Sequence, residues 1–360
     1  MNRLTADSIA LLRQMVSIPS ESFHEKAVAD LLFRTLEDWG LSPRRYTNNI
    51  VAVNNLYDPA LPTLLLDAHI DTVAPAGGYT RNPYDAGDDA GTIFGLGSND
   101  DGGSVVAMIA AFRHFFDKSM PINLVLSLSS EEERSGAEGA CMLLGPDGPE
   151  ETANADWIIF GEPTGMKAAT SERGLLVLDG MAEGISGHAA RNEGVNALYI
   201  ALDDIQALKS HVFTKVSPTM GQVRLNVTQI QAGTAHNAIP DRCCFVVDIR
   251  PTEQYDNKEI LDELQAFCRS RLTPRNLANK SSATPKDSPL LRTVLDLGIG
   301  TFSSPTTSNW MRTSKDAIKM GPGDSSRSHR ADEYILCGEI DDAIEKYITF
   351  IENFYGHTLE

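Results

Sequence analysis

Nowhere in the 360 residues does an apolar run approach the roughly 20 that cross a bilayer, so no membrane span is expected. The N-terminal stretch "MNRLTADSIALLRQMV" is amphipathic and interrupted by Asp7 and Arg13. It lacks the apolar core and small-residue cleavage site of a secretory signal. Cysteine is scarce: Cys141, Cys243, Cys244, Cys268 and Cys337 are odd in number and show no metal-knuckle spacing. That excludes a disulfide framework and predicts reduced thiols in a cytoplasmic protein. Positive charge is also in deficit, with 31 Lys and Arg against 49 Asp and Glu and a net charge of −18. Such a surface is repelled by phosphate backbones and anionic lipid, which excludes nucleic acid and membrane partners. The charge serves solubility, with steering of a cationic substrate as the alternative. Neither an internal repeat nor a low-complexity segment is present.

What is present is an alternation of elements. Apolar residues recur at helical spacing over 6–17 and again in "HEKAVADLLFRTLEDWG", which stops at Gly40. The runs "IVAVNNL", "TLLLDAHI", "INLVLSLS" and "DWIIFGEP" read as strands, with a helical pattern over 103–116 between them. This predicts an α/β sheet with parallel or mixed pairing. The texture changes near Arg173. "RGLLVLDGMAEGI", "QVRLNVTQIQAG" and "CCFVVDIRP" are strand-like, accompanied by "NALYIALDDIQALKSH" and a second helix near 256–271. The expectation is a discontinuous catalytic α/β domain, 1–173 and 287–360, with an α+β domain inserted at 174–286.

Candidate chemistry gathers where the strands stop, because ligands in open α/β sheets sit at the carboxyl ends of strands. "TLLLDAHID" ends in His69 and Asp71, "INLVLSLSSEEE" in Glu131, Glu132 and Glu133, "DWIIFGEP" in Glu162, and "AIKMGPGDSSRSH" in His329. Asp100 lies in "GLGSNDDGGS", at the entry to the apolar run "VVAMIAAF". Each alone has a plainer explanation: a surface pair for His69 and Asp71, a solvated helix start for the Glu run, a helix cap for Asp100. Together they suit two divalent ions about 3.5–4 Å apart that share a bridging ligand and clamp a hydrolytic water. A bridging carboxylate needs close backbone approach, which Gly95, Gly97, Gly102 and Gly103 allow. Two His and three carboxylates suit zinc, with cobalt or manganese as substitutes. Asp71 is placed to hold the His69 tautomer. Neighbouring Glu side chains diverge, so one can bind metal while the next acts as general base.

The ordered set "DAHIDTV", "GLGSNDDGGS", "SSEEERSGAEGA", "FGEPTG", "GISGHAARNEGVNA", "HNAIPDRCCFVVDIR" and "GPGDSSRSHRADEYI" resembles, nearly end to end, the dinuclear zinc amidohydrolases and peptidases. That family includes acetylornithine deacetylase, succinyl-diaminopimelate desuccinylase and aminoacylase. The resemblance implies that His69, Asp100 and Glu162 bind one metal, and Asp100, Glu133 and His329 the other. It makes Glu132 the general base, on the register set by "EERSGAEG", and leaves Glu131 where the family usually has Asp. It makes the insert a lid and dimerisation domain, with His188 reaching the neighbouring subunit's site to stabilise the oxyanion. Asn237, Arg250 and Thr307 match substrate-holding residues, Arg250 as a partner for a carboxylate; the plainer alternatives are a structural salt bridge for Arg250 and a surface histidine for His188.

The departures from the family pattern are Asp101-Gly102-Gly103 after the bridging Asp, Asn309 where Asp is common, and "GHAAR" for Gly-His-Ser-x-x-Pro. Asp101 either perturbs the site or points to water. The implied reaction is hydrolysis of an N-acyl amino acid, N-acetylornithine or a related N-acetyl or N-succinyl compound, in arginine or lysine biosynthesis. The implied enzyme is a cytoplasmic homodimer assembled through the lid. The competing expectations are a metallo-exopeptidase acting on dipeptides and a non-catalytic binding protein of the same fold.

Overall fold

The computed structural model describes residues 2–191 and 193–357, so Asn192 of "GHAARNEG" lies outside the described residues. The chain is α/β and divides into two units. One comprises the residues up to Thr170, Thr284–Phe302 and those from Ser308 on; the other is Ser171–Ala283 with Ser303–Thr307.

The first unit is built on a mixed sheet. Strands Asn123–Ser129, Thr63–His69, Trp157–Phe160 and Asp316–Lys319 lie side by side and parallel. Asn49–Val53 and Arg44–Tyr46 continue one side antiparallel. Alternation with period two fills both faces. Leu64, Leu66, Ala68, Leu124, Leu126, Leu128 and Ile159 join one core with helices Arg3–Val16, Lys26–Asp38, Gly103–Phe115 and Cys337–His357. Leu65, Val125, Ile158, Phe160 and Ala317 join a second core with Leu143, Ala155 and Trp310. Helix Gly103–Phe115 is buried from Gly103 to Phe112, which explains why it is apolar all round rather than striped.

The register sets up a site. His69 pairs with Ser129, and Phe160 pairs with both Asp67 and Lys319. The four parallel strands therefore end nearly level, and the residues that follow each emerge along one rim.

The second unit is a four-stranded antiparallel sheet in the order Arg224–Ala232, Arg242–Arg250, Leu176–Glu183, Arg271–Pro274. Its helices Ala197–Ser210 and Asn257–Gln265 are capped by the side chains of Asn196 and Asp256. Leu176, Leu178, Cys243, Phe245, Val247 and Ile249 alternate onto the helix-covered face and pack with Ile200, Leu208, Ile260 and Leu264. All five cysteines are free thiols. Among the described residues no helix is long and apolar enough to cross a membrane.

Candidate metal centre

The site forms at the rim of parallel strand ends. His69, the last residue of its strand, is 3 % exposed. Its Nδ1 lies 2.9 Å from the Asp71 carbonyl oxygen, which can only accept, so Nδ1–H donates there and Nε2 is the nitrogen turned to the site. That Nε2 lies 3.2 Å from Asp100 Oδ1. On the other side, Asp100 Oδ2 lies 3.7 Å from His329 Nε2, which is 2.9 Å from Glu133 Oε1. One carboxylate thus faces a histidine with each of its oxygens. Ligand atoms of His69, Glu132 and Glu133 form one cluster, and those of Asp100, Glu133 and His329 another, each within 4.8 Å.

Glu162 joins neither cluster among the described residues. Its charge is nevertheless felt with those of Asp100, Glu132, His69 and Lys319. In the second unit, His188 ends the short strand Gly187–His188, paired antiparallel with Ala238, and its Nδ1 accepts a hydrogen bond from Ala190 N at 3.2 Å. Asn237 lies beside it, its carbonyl accepting from Ala189 N at 3.0 Å. Arg250 is paired with Asp248, and Thr307 belongs to the segment that packs with the second unit.

Local backbone needs explain the glycines and the Glu run. Gly97 has φ +77°, and a Cβ on Gly102 would sit 2.4 Å from the Gly97 carbonyl oxygen. Asp100 therefore sits on a loop folded too tightly for side chains there. A Cβ on Gly139 would lie 1.9 Å from Ser130 O, so "SGAEG" closes directly under the Glu loop. Asp71 does more than orient a histidine. Its carboxylate accepts from Ser22 Oγ at 2.7 Å and from the N–H groups of Glu132 and Glu133 at 3.0 and 3.1 Å. It holds the backbone that aims both glutamates.

The electrostatics describe a site short of positive charge. Burial raises Glu132 well above the ordinary carboxylate range; His69 opposes this, while Glu133, Asp71 and Asp100 reinforce it. Burial likewise raises Glu162 despite Lys319, with Asp100 and Glu132 adding to the shift. Burial works against protonating His69, yet hydrogen bonds to Asp100 and Asp71 push it well up. Asp100 is lowered: burial would raise it, but the His69 hydrogen bond and charge win. His329 is pushed up to about 9 by its hydrogen bond to Glu133, against its burial. Carboxyls that favour protons beside imidazoles that favour charge are what a cation-binding donor set looks like when only protons supply the charge. The oxygen and nitrogen donors fit borderline divalent ions such as zinc.

Three contributors carry no sequence expectation. Glu333 Oε1 accepts from Asn99 N at 2.8 Å and Asp100 N at 2.9 Å, fixing the bridging loop from behind. Burial, reinforced by the Asp100 charge, lifts its carboxyl to about 8. Lys319, 2 % exposed, carries a buried cation toward Glu162; a lysine inside the apolar run "AIKMG" was the available signal. Asp67, two residues before His69, accepts from Ser129 Oγ and Asn309 Nδ2, both at 3.2 Å.

Two departures from the family pattern gain physical explanations. Asp101 does not point to water: it is 1 % exposed, and a Cβ on Gly161 would come within 2.9 Å of its Oδ2. Asn309 supplies an amide to Asp67 and, at 3.0 Å, to Ser129 Oγ. Burial already lifts Asp67 to about 6 despite these donors. Asn309→Asp would remove a donor and add a second buried carboxylate. The expected loss is about 1–3 kcal/mol of stability. Because the carboxyl pair is stable in the fold only with a proton, the loss should be greater at pH 8 than at pH 5.5. Thermal melts at the two pH values check this, and equal melting of variant and parent at pH 8 would refute it.

Known proteins resemble this chain in sequence and in fold. Residues 170–276 match a peptidase dimerisation domain. A putative [LysW]-lysine/[LysW]-ornithine hydrolase of Pyrobaculum aerophilum is 27 % identical over 81 % of this chain and 81 % of its own. The acetylornithine deacetylase of Proteus mirabilis is 26 % identical over 98 % of each chain. The crystal structure of an M20 family metallo-carboxypeptidase from Sulfolobus solfataricus superposes with a TM-score of 0.75 at 17 % identity, covering 99 % of this chain and 100 % of that one. This two-unit α/β protein, with its convergent His and carboxylate donors, is thus similar to such hydrolases over nearly its full length. In sequence and fold the chain is similar to M20 family proteins.

Proposed function

We propose that the protein hydrolyses the amide bond of an N-acyl amino acid, giving a carboxylate and a free amino acid. N-acetylornithine or a related N-acetyl or N-succinyl amino acid is the substrate of this reading, arginine or lysine biosynthesis its setting, and a cytoplasmic homodimer its form. The observation that carries it is Asp100, which faces His69 with one oxygen and His329 with the other, beside Glu132 and Glu133. His69, Asp100 and Glu162 would hold one ion and Asp100, Glu133 and His329 the other, zinc in the first place, cobalt or manganese as substitutes. Bound there, the ions supply Lewis acidity toward the amide carbonyl and toward the attacking water.

The chain supplies the proton chemistry and the positioning. Glu132, its backbone held by Asp71, takes the proton of the attacking water and passes it to the leaving amine. His188 of a second subunit donates to the developing oxyanion. Asn237 and Thr307 hold the substrate, and Arg250 takes its carboxylate.

The test is amine release from N-acetylornithine, N-acetylcitrulline, N-succinylornithine, N-succinyl-diaminopimelate and several dipeptides, with zinc- and cobalt-loaded protein. Chelator-sensitive turnover of an acyl amino acid supports the reading and identifies the acyl group. Turnover of dipeptides alone moves the protein to the exopeptidase reading, which the likeness to a carboxypeptidase fold favours.

A further inference from the structure

Strand Arg242–Arg250 turns Cys243, Phe245, Val247 and Ile249 onto the helices, so Asp248 and Arg250 share the opposite, open face. There Arg250 Nε donates to Asp248 Oδ1 at 2.9 Å and Nη2 to Oδ2 at 3.2 Å. This is a side-on pair. It uses two of the five guanidinium N–H donors and leaves the end-on Nη1/Nη2 fork free for a second planar anion.

The surroundings point the same way. Arg224 is the direct cross-strand partner of Arg250. Its neighbour Leu225 packs on the core side, so Arg224 shares the open face with Arg250. Like charges directly opposite destabilise a strand pair, so this register needs a compensating anion. Arg173 adds a third guanidinium: its Nη1 donates to the carbonyls of Gln222 at 2.9 Å and Arg250 at 3.1 Å, and its charge acts on Arg224. Against three guanidiniums stand, among the described residues, two carboxylates, Asp248 on Arg250 and Glu253 acting on Arg173. One positive charge is left over. Arg173 fixes the Arg250 backbone, Asp248 fixes its side chain, and the corner is one anion short.

We propose that Asp248 is a positioning residue: it clamps the side-on edge of Arg250 so that the end-on fork presents to a substrate carboxylate, with Arg224 supplying the uncompensated charge. The proposal rests on the reading that Arg250 takes the carboxylate of the substrate. It makes Asp248 a determinant of the preference for a free acid over a neutral analogue.

The experiment measures KM and kcat for the best N-acyl amino acid and for its α-carboxamide, in the full-length metal-loaded enzyme and in Arg250→Ala, Asp248→Ala, Asp248→Asn and Asp248→Glu. In Arg250→Ala the preference for acid over amide should disappear. In Asp248→Ala the KM for the acid should rise roughly tenfold or more, as expected for loss of a charge-assisted bond, and the preference should shrink. The effect should fall on KM far more than on kcat. Asp248→Glu should recover part of the preference, and Asp248→Asn, which keeps one acceptor and the side-chain volume, gives the reading should Asp248→Ala fail to fold. If Arg250→Ala keeps the preference, the carboxylate reading of Arg250 fails and the proposal goes with it. If Arg250→Ala loses the preference while the Asp248 variants keep it, Arg250 stands and the positioning assignment to Asp248 is overturned.

Discussion

Glu132→Gln is expected to abolish turnover while both divalent ions stay bound. Gln matches Glu in volume and still carries an oxygen, so packing against the Asp71-held backbone survives. What it cannot do is take a proton. Burial and the charges of Glu133, Asp71 and Asp100 hold the Glu132 carboxyl well above the ordinary range, outweighing His69, which suits a group that must both take and return a proton. Loss of a general base costs about 10²–10⁴ in rate, and kcat should fall by at least that range. The control is Glu133→Gln. Glu133 lies 2.9 Å from His329 and belongs to the cluster with Asp100, so its change should show first as lost metal. Metal content by elemental analysis separates the two. Retained activity in Glu132→Gln, or metal loss in it equal to that in Glu133→Gln, would refute the assignment of roles to the adjacent glutamates.

Much of this site was legible because it obeys a local rule: apolar strands terminate in a polar residue, and parallel strands terminate together. "TLLLDAH" shows its end in the sequence, and its register with "NLVLSLS" levels His69 with Ser129. The alternation of strand and helix announced the α/β class for the same reason, since burial on both faces requires it. What escaped notice depends on residues distant in sequence. Nothing near Asp71 says that its carboxylate will receive the N–H groups of residues 132 and 133. Glu333 meets Asn99 and Asp100 across more than 230 positions. Asn309 looked like a lost acid until Asp67 stood 3.2 Å away. For Arg250 the salt bridge was one of two expectations, and its partner sits two residues upstream on the same strand face. Alternation at period two makes that last pair readable in retrospect.

Removing the divalent ions is expected to abolish turnover and to lower the melting temperature, with zinc, cobalt or manganese restoring both. Ions that bind only the folded state stabilise it by about 4 kcal/mol at a thousandfold excess over Kd, enough to move the melt by several degrees. The pH dependence gives a sharper signature. Without ions, protons are the available counter-charge. His329, pushed up to about 9 by Glu133, stabilises the stripped fold below its ordinary value of 6.5 and loses that contribution as pH rises toward 9. Glu333, lifted to about 8 by burial and Asp100, is held best in the fold while protonated, so its contribution also declines as pH rises from 4.5 toward 8. Both slopes have the same sign. The stripped protein should therefore weaken from pH 6 to pH 9, while the loaded protein, whose ions replace those protons, should weaken less. The gap in melting temperature should widen toward alkaline pH. Metal binding should release protons, which calorimetric titration in buffers of different ionisation enthalpy reads directly. A gap that stays constant across that window, with no proton release, would mean that the charge deficit at the rim is met by something other than metal.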